Sequence, residues 1–230
     1  MGIGMDFLLK TFITGFDERV SDKKRLDETV KLPEPETKGG PSIWDCLRER
    51  RSIRDYKNQP VSLKELSQIL WGSYGVTARE WGYYLKTAPS AGALYPIEIY
   101  VASFNVEGLK KGIYHFNPKD MTLKGIFEGD FSKEITHACL GQDFILDSAF
   151  SLILTAIPSR TTSKYRERGV RYILMDLGCI IQNIYLSLTA LGMGGCIIGA
   201  FSDSAMNKIM NLNPEKELVL AVFSAGKVQK

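Results

Sequence analysis

The order of apolar and polar residues along the chain predicts helices that alternate with buried strands. Helical spacing of apolar residues begins after Ser42 and after Ser62, continues through 163–190 and returns in 202–212. Short runs rich in β-branched and aromatic residues predict strands at 97–104, 112–116, 122–127, 150–157 and 217–226. The strands between 97 and 127 are close enough in sequence to form an antiparallel meander. Helices around one mixed, mostly antiparallel sheet make an α+β layered fold.

Capping signals mark where two of the predicted helices begin. Ser42 and Asp45 have the spacing of a capping box, and Ser62 and Glu65 repeat it before the second helix. The first helix would carry Arg48–Arg51 to its C-terminal end, where cations suit the helix dipole.

The chain divides into an N-terminal arm and one domain. Residues 1–40 are polar and mixed and end in a segment rich in proline and glycine, which predicts an arm or linker before a domain at 41–230. The first twenty residues make a poor signal peptide, because Asp6 and Lys10 interrupt their apolar run.

One uncharged segment is long enough to span a bilayer. It extends from Leu177 to Ser202 and includes Gln182, Asn183 and a group of glycines. We expect a buried helix followed by a tight loop rather than a membrane span.

Composition narrows the function classes. The net charge is only +3, which argues against a nucleic-acid binder. The four cysteines form no C-x-x-C pair and match no zinc-binding spacing. A disulfide framework is not expected in a chain this long, so we expect the protein to reside in the reducing cytoplasm. Two histidines argue against a histidine-rich metal site, and no metal site is predicted.

Four arginines lie within seven residues, at Arg48, Arg50, Arg51 and Arg54, with Ser52 among them. Arginine forks and a hydroxyl group are suited to a phosphate. If the backbone after the helix is extended, Arg50, Ser52 and Arg54 point to one side. The alternative is a set of solvated charges at a helix end.

Two segments of small residues are predicted loops that could lie against a flat ligand. The first, PSAGALYP at 89–96, lies within the predicted loop 76–96 and offers the Ser90 hydroxyl and two backbone amides. The second, at 190–203, has four glycines between apolar residues. It follows a helix rather than a strand, so it is not a dinucleotide fingerprint. The alternative for the first segment is a loop kept small for packing. For the second it is a glycine-rich helix C-cap and turn, which explains Gly192 but not Gly199.

A lysine and a tyrosine stand side by side at Lys164 and Tyr165, near the start of the predicted helix 163–190. Such a pair can donate and accept protons if burial shifts the pKa values. The neighbouring basic residues are expected to be solvated.

Taken in order, these segments resemble the FMN-dependent nitroreductase superfamily, and within it the SagB-type peptide azoline dehydrogenases. The elements that carry the resemblance are RRSIR at 50–54, APSAGALYP at 88–96, GIYHFNPKDMTLKGI at 112–126, KYRERGVRYILMDLGCIIQNIYL at 164–186 and GGCIIGAFSD at 194–203. The resemblance covers about 42–228 and implies a nitroreductase-like fold, with a homodimer that holds FMN at its interface.

The resemblance also implies roles for particular residues. It places the flavin phosphate on the segment containing Arg50, Arg51, Ser52 and Arg54, with help from Lys227. Along the flavin ring and its ribityl chain it places Pro89, Ser90, Ala91, Gly92, Asn183, Ile198, Gly199 and Ala200. Lys164 and Tyr165 match a pair that transfers protons in azoline oxidation. The sequence departs from many nitroreductases at Gly92 and Ala93, where those have a flavin-binding asparagine.

The leading hypothesis is an FMN oxidoreductase that passes hydride through flavin N5 by ping-pong chemistry, with the cofactor doing the redox step. The donor would be NAD(P)H or an organic substrate such as a peptide azoline. The alternative is a flavin-binding carrier or sensor without turnover. A nucleic-acid binder is a third, weaker class, and no membrane association is expected.

Overall fold

This computed structural model describes residues 3–14 and 23–228 of the chain. Within these ranges the chain forms seven α-helices and twelve strands. The helices are α1 (Ile3–Lys10), α2 (Ile43–Glu49), α3 (Leu63–Tyr74), α4 (Ser132–Ala138), α5 (Ser159–Tyr165), α6 (Arg168–Ala190) and α7 (Asp203–Met210). The strands are β1 (Lys24–Arg25), β2 (Thr29–Lys31), β3 (Val61–Ser62), β4 (Val76–Glu80), β5 (Tyr83–Lys86), β6 (Ile97–Ser103), β7 (Val106–Glu107), β8 (Gly112–Asn117), β9 (Thr122–Glu128), β10 (Phe150–Ala156), β11 (Met193–Ile198) and β12 (Leu218–Lys227).

An antiparallel sheet of eight strands forms the centre, in the order β1-β9-β8-β6-β10-β12-β11, with β2 also paired to β9. The predicted strands and the meander β6-β8-β9 are confirmed. Every strand pair of the main sheet is antiparallel, so the sheet is not mixed as expected; the one parallel strand pair in the described ranges, β3 with β7, lies outside it.

Helices cover both faces of this sheet. Strand β10 is buried along its whole length, and its side chains alternate between the faces. Leu152 and Leu154 pack in a core with α3 and α6, whereas Ile153 packs in a second core with α4 and α7. The arrangement is the layered α+β fold expected from the sequence.

Both predicted serine caps are confirmed, and the complete capping box forms at the second helix but not at the first. The Ser42 side chain accepts a hydrogen bond from the Asp45 amide at the start of α2. Ser62 and Glu65 form a complete reciprocal capping box at the start of α3.

The predicted single helix at 163–190 is wrong, because the chain forms two helices there. The break is at Arg166, whose φ of 50° and ψ of −140° are not helical. Gly169 lets α5 pack closely on α6, since a Cβ there would meet the backbone of Thr161 and Thr162 at 3.1 Å.

Both predicted loops contain strands. In 76–96, β4 and β5 form a hairpin with Val76 opposite Lys86. In 190–203, β11 pairs with β12 along six residues. Gly194 and Gly195 obscured the second strand, and packing explains them: a Cβ on Gly194 would lie 2.9 Å from Ile53, and one on Gly195 would lie 2.7 Å from the carbonyl of Ser224.

Part of the N-terminal segment belongs to the main sheet and core. Strands β1 and β2 pair with β9, and Leu26 and Leu32 are buried in the core on the α6 side. Residues 15–22 lie outside the described part. The division of the chain at residue 40 stays a prediction.

Helix α6 is long and apolar enough, by length and composition, to cross a membrane. Its apolar stripe packs instead against the sheet: Ile173, Ile180, Ile184 and Leu188 are at most 1% exposed. The structure therefore agrees with the expected buried helix.

Candidate functional site

The segment Arg50–Arg54 lies along the edge strand β11. Ser52 forms an isolated parallel bridge with Gly195, and the Ile53 amide donates to the Gly195 carbonyl at 3.0 Å. Helix α2 ends at Arg50 with an extended backbone, so the segment leaves the helix as predicted. The arginine cluster is thereby fixed at one edge of the sheet.

Two of the four arginines have partners of their own. The Arg48 guanidinium pairs with Asp45 at 2.8 Å and with Glu49 at 3.1 Å. Arg51 donates to the carbonyls of Arg48 and Arg50 at the end of α2. For these two, a charge at a helix end explains the residue.

Arg50 and Arg54 remain available for an anion. The Arg50 guanidinium carbon lies 5.1 Å from the centre of the Tyr185 ring, and that of Arg54 lies 5.9 Å from the centre of the Phe144 ring. Within the described ranges, neither guanidinium group has a carboxylate oxygen within 4 Å. Ser52 between them is exposed.

Tyr185 organises this cluster and was missed by the sequence analysis. Its hydroxyl lies 2.9 Å from the Ser52 Oγ and accepts from the Ile197 amide at 3.1 Å. Its ring packs edge-on against Phe223, with centroids 4.7 Å apart, and Arg50 lies over the ring. The available signal was a polar-tipped residue on the otherwise apolar stripe of α6.

Lys227 is held by a carboxylate. Its ammonium group pairs with Glu65 of the α3 capping box, and the lysine side chain is 26% exposed. Burial opposes the charge on Glu65, but the hydrogen bonds from Lys227 and Ser62 outweigh burial and lower the pKa of this carboxyl group. A phosphate would have to share Lys227 with Glu65.

The loop containing Ser90 is fastened to α6 through a buried carboxylate. Ser90 Oγ donates to Asp176 Oδ2 at 2.5 Å, and the Ala91 amide approaches Asp176 Oδ1 at 3.3 Å. Burial raises the pKa of Asp176, while these two hydrogen bonds act in the opposite direction. The Ser90 hydroxyl also accepts from the Tyr95 amide at 2.9 Å, so Ser90 supports the loop. Pro89 precedes it at an exposed position.

Gly92 brings this loop to the lysine–tyrosine pair. Its φ is +64°, and a Cβ there would lie 2.7 Å from the Tyr165 hydroxyl and 3.0 Å from Lys164 Nζ. Tyr165 packs edge-on against Tyr172 with centroids 5.0 Å apart. Lys164 is exposed and Tyr165 half-buried, so the burial that would tune this pair is not present in the single chain.

The end of β11 presents open backbone. Gly199 and Ala200 are exposed, and within the described residues their N–H groups have no acceptor in the chain. A Cβ on Gly199 would meet nothing within 4 Å. The Ile198 side chain is buried in the core, so only its backbone can face a ligand. Asn183 is half-buried on α6, two residues before Tyr185.

These groups fit an elongated molecule with an anionic end. Ser52 lies beside Gly195, and Gly199 is four residues further along, about 13 Å at ~3.3 Å per residue. Arg50, Ser52 and Arg54 could hold a phosphate at one end, and the free amides beside Gly199 could donate to a ring at the other. Across residues 3–14 and 23–228, no group of three His, Cys, Asp or Glu side chains is placed to hold a metal ion.

The fold is a layered α+β scaffold with an open arginine–serine cluster at one sheet edge, and sequence comparison supplies the family. The sequence profile of the nitroreductase family matches residues 47–227. The nitroreductase-family protein MJ1384 of Methanocaldococcus jannaschii is 41% identical over 185 residues, which cover 80% of this chain and 90% of that protein. The chain therefore belongs to the nitroreductase family.

Further comparisons support the resemblance to the peptide azoline dehydrogenase subgroup and to the nitroreductase fold. The microcin B17-processing protein McbC of Escherichia coli is 28% identical over 174 residues, covering 73% of this chain and 63% of McbC. A nitroreductase-type crystal structure from Ralstonia eutropha superposes with a TM-score of 0.76 at 26% identity, covering 95% of this chain and 98% of that one. An FMN complex from Desulfovibrio desulfuricans has the same fold, with a TM-score of 0.59 at 16% identity over 84% of this chain and 89% of that one.

Proposed function

We propose that this protein is an FMN-dependent oxidoreductase. The proposal is carried by the guanidinium groups of Arg50 and Arg54, which flank exposed Ser52 and have no carboxylate partner in the described residues. The unpaired backbone amides of Gly199 and Ala200 lie near the other end of strand β11, beside which Ser52 lies. Membership of the nitroreductase family supports the same reading.

In this proposal Arg50, Ser52 and Arg54 hold the flavin phosphate, and Tyr185 holds Ser52 and Arg50 in position. Bound FMN supplies a flavin ring that accepts and returns hydride at N5. The Gly199 amide would donate a hydrogen bond to the ring edge, and the absence of a Cβ would leave room for the ring.

Two kinds of donor suit ping-pong use of such a site. In the first, NAD(P)H gives hydride and departs before an acceptor takes the electrons. In the second, an organic substrate such as a peptide azoline loses a hydride to the flavin and a proton to a base. Lys164 and Tyr165, beside Gly92, are the proposed proton-transfer groups. The likeness to McbC, described as a microcin-processing protein, supports the second kind.

A carrier or sensor without turnover is the second candidate. The observation that favours it is the exposure of Lys164, since proton-transfer groups are usually tuned by burial. We also propose a homodimer and a cytoplasmic location; the four cysteines are free thiols, three of them buried.

The phosphate assignment is tested by titrating FMN into matched arginine variants. Arg50→Ala and Arg54→Ala each remove a charged hydrogen-bond donor worth about 1.5–3 kcal/mol, so the Kd should rise about ten- to a hundredfold. Arg48→Ala and Arg51→Ala are the controls, because their guanidinium groups are already engaged, and should change the Kd less than threefold. Equal effects in all four variants would overturn the assignment.

Absorption spectra then separate enzyme from carrier. The flavin bands of the FMN-loaded protein are followed anaerobically with NADH, with NADPH and with organic donors. Bleaching identifies the donor. Bands that persist with every donor and acceptor would support a carrier.

A further inference from the structure

A cavity of about 310 Å³ lies between helix α1, the first turns of helix α6 and the end of strand β11. Most of its wall is apolar and is contributed by Phe7, Leu8, Phe12, Leu174, Phe201 and Leu220. The N-terminal segment forms one side, although this segment precedes the region that matches the nitroreductase family. Gly199 forms part of the opposite wall.

The N-terminal wall is fastened at both ends. At one end the Ile13 amide donates to Asp203 Oδ2 at 2.8 Å, and the Asp203 amide donates to the Ile13 carbonyl at 3.1 Å. At the other end the Gly4 amide donates to Glu167. A Cβ on Gly4 would lie 2.8 Å from Val170, so α1 packs directly on α6. Residues 3–13 are therefore a built wall of the cavity.

The polar groups around the cavity select its occupant. The Thr11 hydroxyl donates to the Leu8 carbonyl at 2.7 Å, and the Asp203 carboxylate accepts from the Ile13 amide. Both groups therefore already have a hydrogen-bond partner within the protein. Within the described residues no cation lies within 4 Å of buried Asp203, and most of the wall is apolar, so a negatively charged ligand would lose its hydration there without gaining a partner.

We propose that residues 3–13 and Gly199 line a binding site for an uncharged, mainly apolar small molecule. Because Gly199 is also the residue proposed to face the flavin ring, this site would hold the substrate, and in that respect the inference rests on the proposed function. Its volume is near the lower bound for small-ligand pockets, about 300–1,000 Å³. An extended peptide could place no more than one side chain in it.

The test uses two probes of equal size and different charge, 2-naphthol and 2-naphthoate, titrated into the FMN-saturated protein by calorimetry. 2-Naphthol should bind with one site per chain, and 2-naphthoate at least tenfold more weakly. Leu174→Trp on α6 and Leu220→Trp on β12 fill the cavity from different walls and should abolish naphthol binding. Ile3→Trp is the control on α1, because Ile3 is 85% exposed and does not line the cavity. Two filling variants keep the test decisive if one of them fails to fold.

Three results would overturn the proposal: no naphthol binding, equal binding of both probes, or binding that survives both filling variants. Displacement of FMN by naphthol would also overturn it, because the cavity would then be the seat of the flavin itself. Failure of the proposed function gives a different result, namely a protein that takes up no FMN. The same titrations on that protein still decide whether the cavity binds naphthol.

Discussion

At the residue scale, the Lys164–Tyr165 pair owes its position to a glycine. Gly92 has a left-handed backbone and no side chain, so Lys164 Nζ and the Tyr165 hydroxyl can approach the loop that Asp176 holds to α6. A proton-transfer role is thus geometrically possible beside the proposed ring. Lys164 is exposed and Tyr165 only half-buried in the single chain, so a partner subunit or a substrate would have to provide the burial.

Lys164→Ala should lower turnover at least about a hundredfold, the usual contribution of general acid–base catalysis, while the Kd for FMN stays within threefold. Steady-state rates with whichever donor bleaches the flavin provide the measurement, and FMN titration provides the second readout. Arg168→Ala is the matched control, because Arg168 is a nearby exposed cation that contacts Tyr172. Turnover that is unchanged in Lys164→Ala would remove the lysine from the mechanism.

At the element scale, Gly195 within strand β11 and Gly199 just after its end are glycines for different physical reasons. Gly195 is buried, and a Cβ there would press on Phe223 at 2.5 Å and on the Ser224 carbonyl at 2.7 Å. Gly199 lies at the open end, where a Cβ would contact nothing within 4 Å. Packing within the protein therefore explains why residue 195 is glycine. It does not explain Gly199, for which we propose contact with a ligand.

Gly195→Ala should destabilise the fold by about 1–3 kcal/mol through overpacking, seen as a lower free energy of unfolding in urea. Gly199→Ala should change that free energy by no more than about 0.5 kcal/mol, as for an open surface position. It should nevertheless weaken FMN binding, because the methyl group enters the space assigned to the ring. If Gly199→Ala binds FMN as well as the parent protein, the ring does not lie there.

At the scale of the whole molecule, a lysine outside the proposed site links stability to pH. Lys86 Nζ lies 3.5 Å from the centre of the Tyr74 ring and 4.6 Å from that of Tyr95. Burial lowers the pKa of Lys86 to about 7, although the nearby Glu98 carboxylate acts in the opposite direction. In the unfolded chain its pKa should be near the ordinary value of about 10.4.

Between about pH 7 and pH 10 the unfolded chain therefore holds a proton on Lys86 that the folded chain lacks, and stability should rise with pH. Relative to Lys86→Met, the free energy of unfolding should increase by on the order of 1 kcal/mol per pH unit in this window and level off outside it. Urea titrations at several pH values give the comparison, with exposed Lys133→Met as control. A parallel pH profile for the parent protein and Lys86→Met would contradict the burial argument.

Exposed apolar side chains on two helices support the proposed homodimer. Helix α2 exposes Ile43, Trp44 and Leu47, and α6 exposes Leu174 and Met175. Exposed apolar side chains in such number are typical of an interface.

Trp44→Glu should convert a dimer into a monomer in sedimentation velocity experiments, since it places a charge in the apolar contact. FMN affinity should fall with it if the cofactor lies between subunits. Trp81→Glu is the control, because Trp81 is 85% exposed in the turn of the β4–β5 hairpin, away from these helices. A parent protein that sediments as a monomer would refute the proposal.

Much of the fold could be predicted from the sequence, because its signals are local. Periodicity marked the strands, and serine caps marked the starts of α2 and α3. Other local predictions failed. The glycines of β11 obscured the strand, and no sequence signal showed that Arg166 would adopt a non-helical backbone. The strand propensity of a single residue cannot show that a glycine is required because residues of the neighbouring strand pack against it.

The sequence by itself determined the chemistry available to this protein: an arginine–serine cluster for an anion, small-residue segments for a flat ligand, and a lysine–tyrosine pair. Tertiary structure decided which of these groups are free. It engaged Arg48 and Arg51, left Arg50 and Arg54 open, and joined Ser52 to Tyr185, 133 residues away. It also placed residues of the N-terminal segment and Gly199 around one cavity. The physical reason is that residue type fixes what a side chain can bind, whereas burial and packing between distant segments fix what it meets.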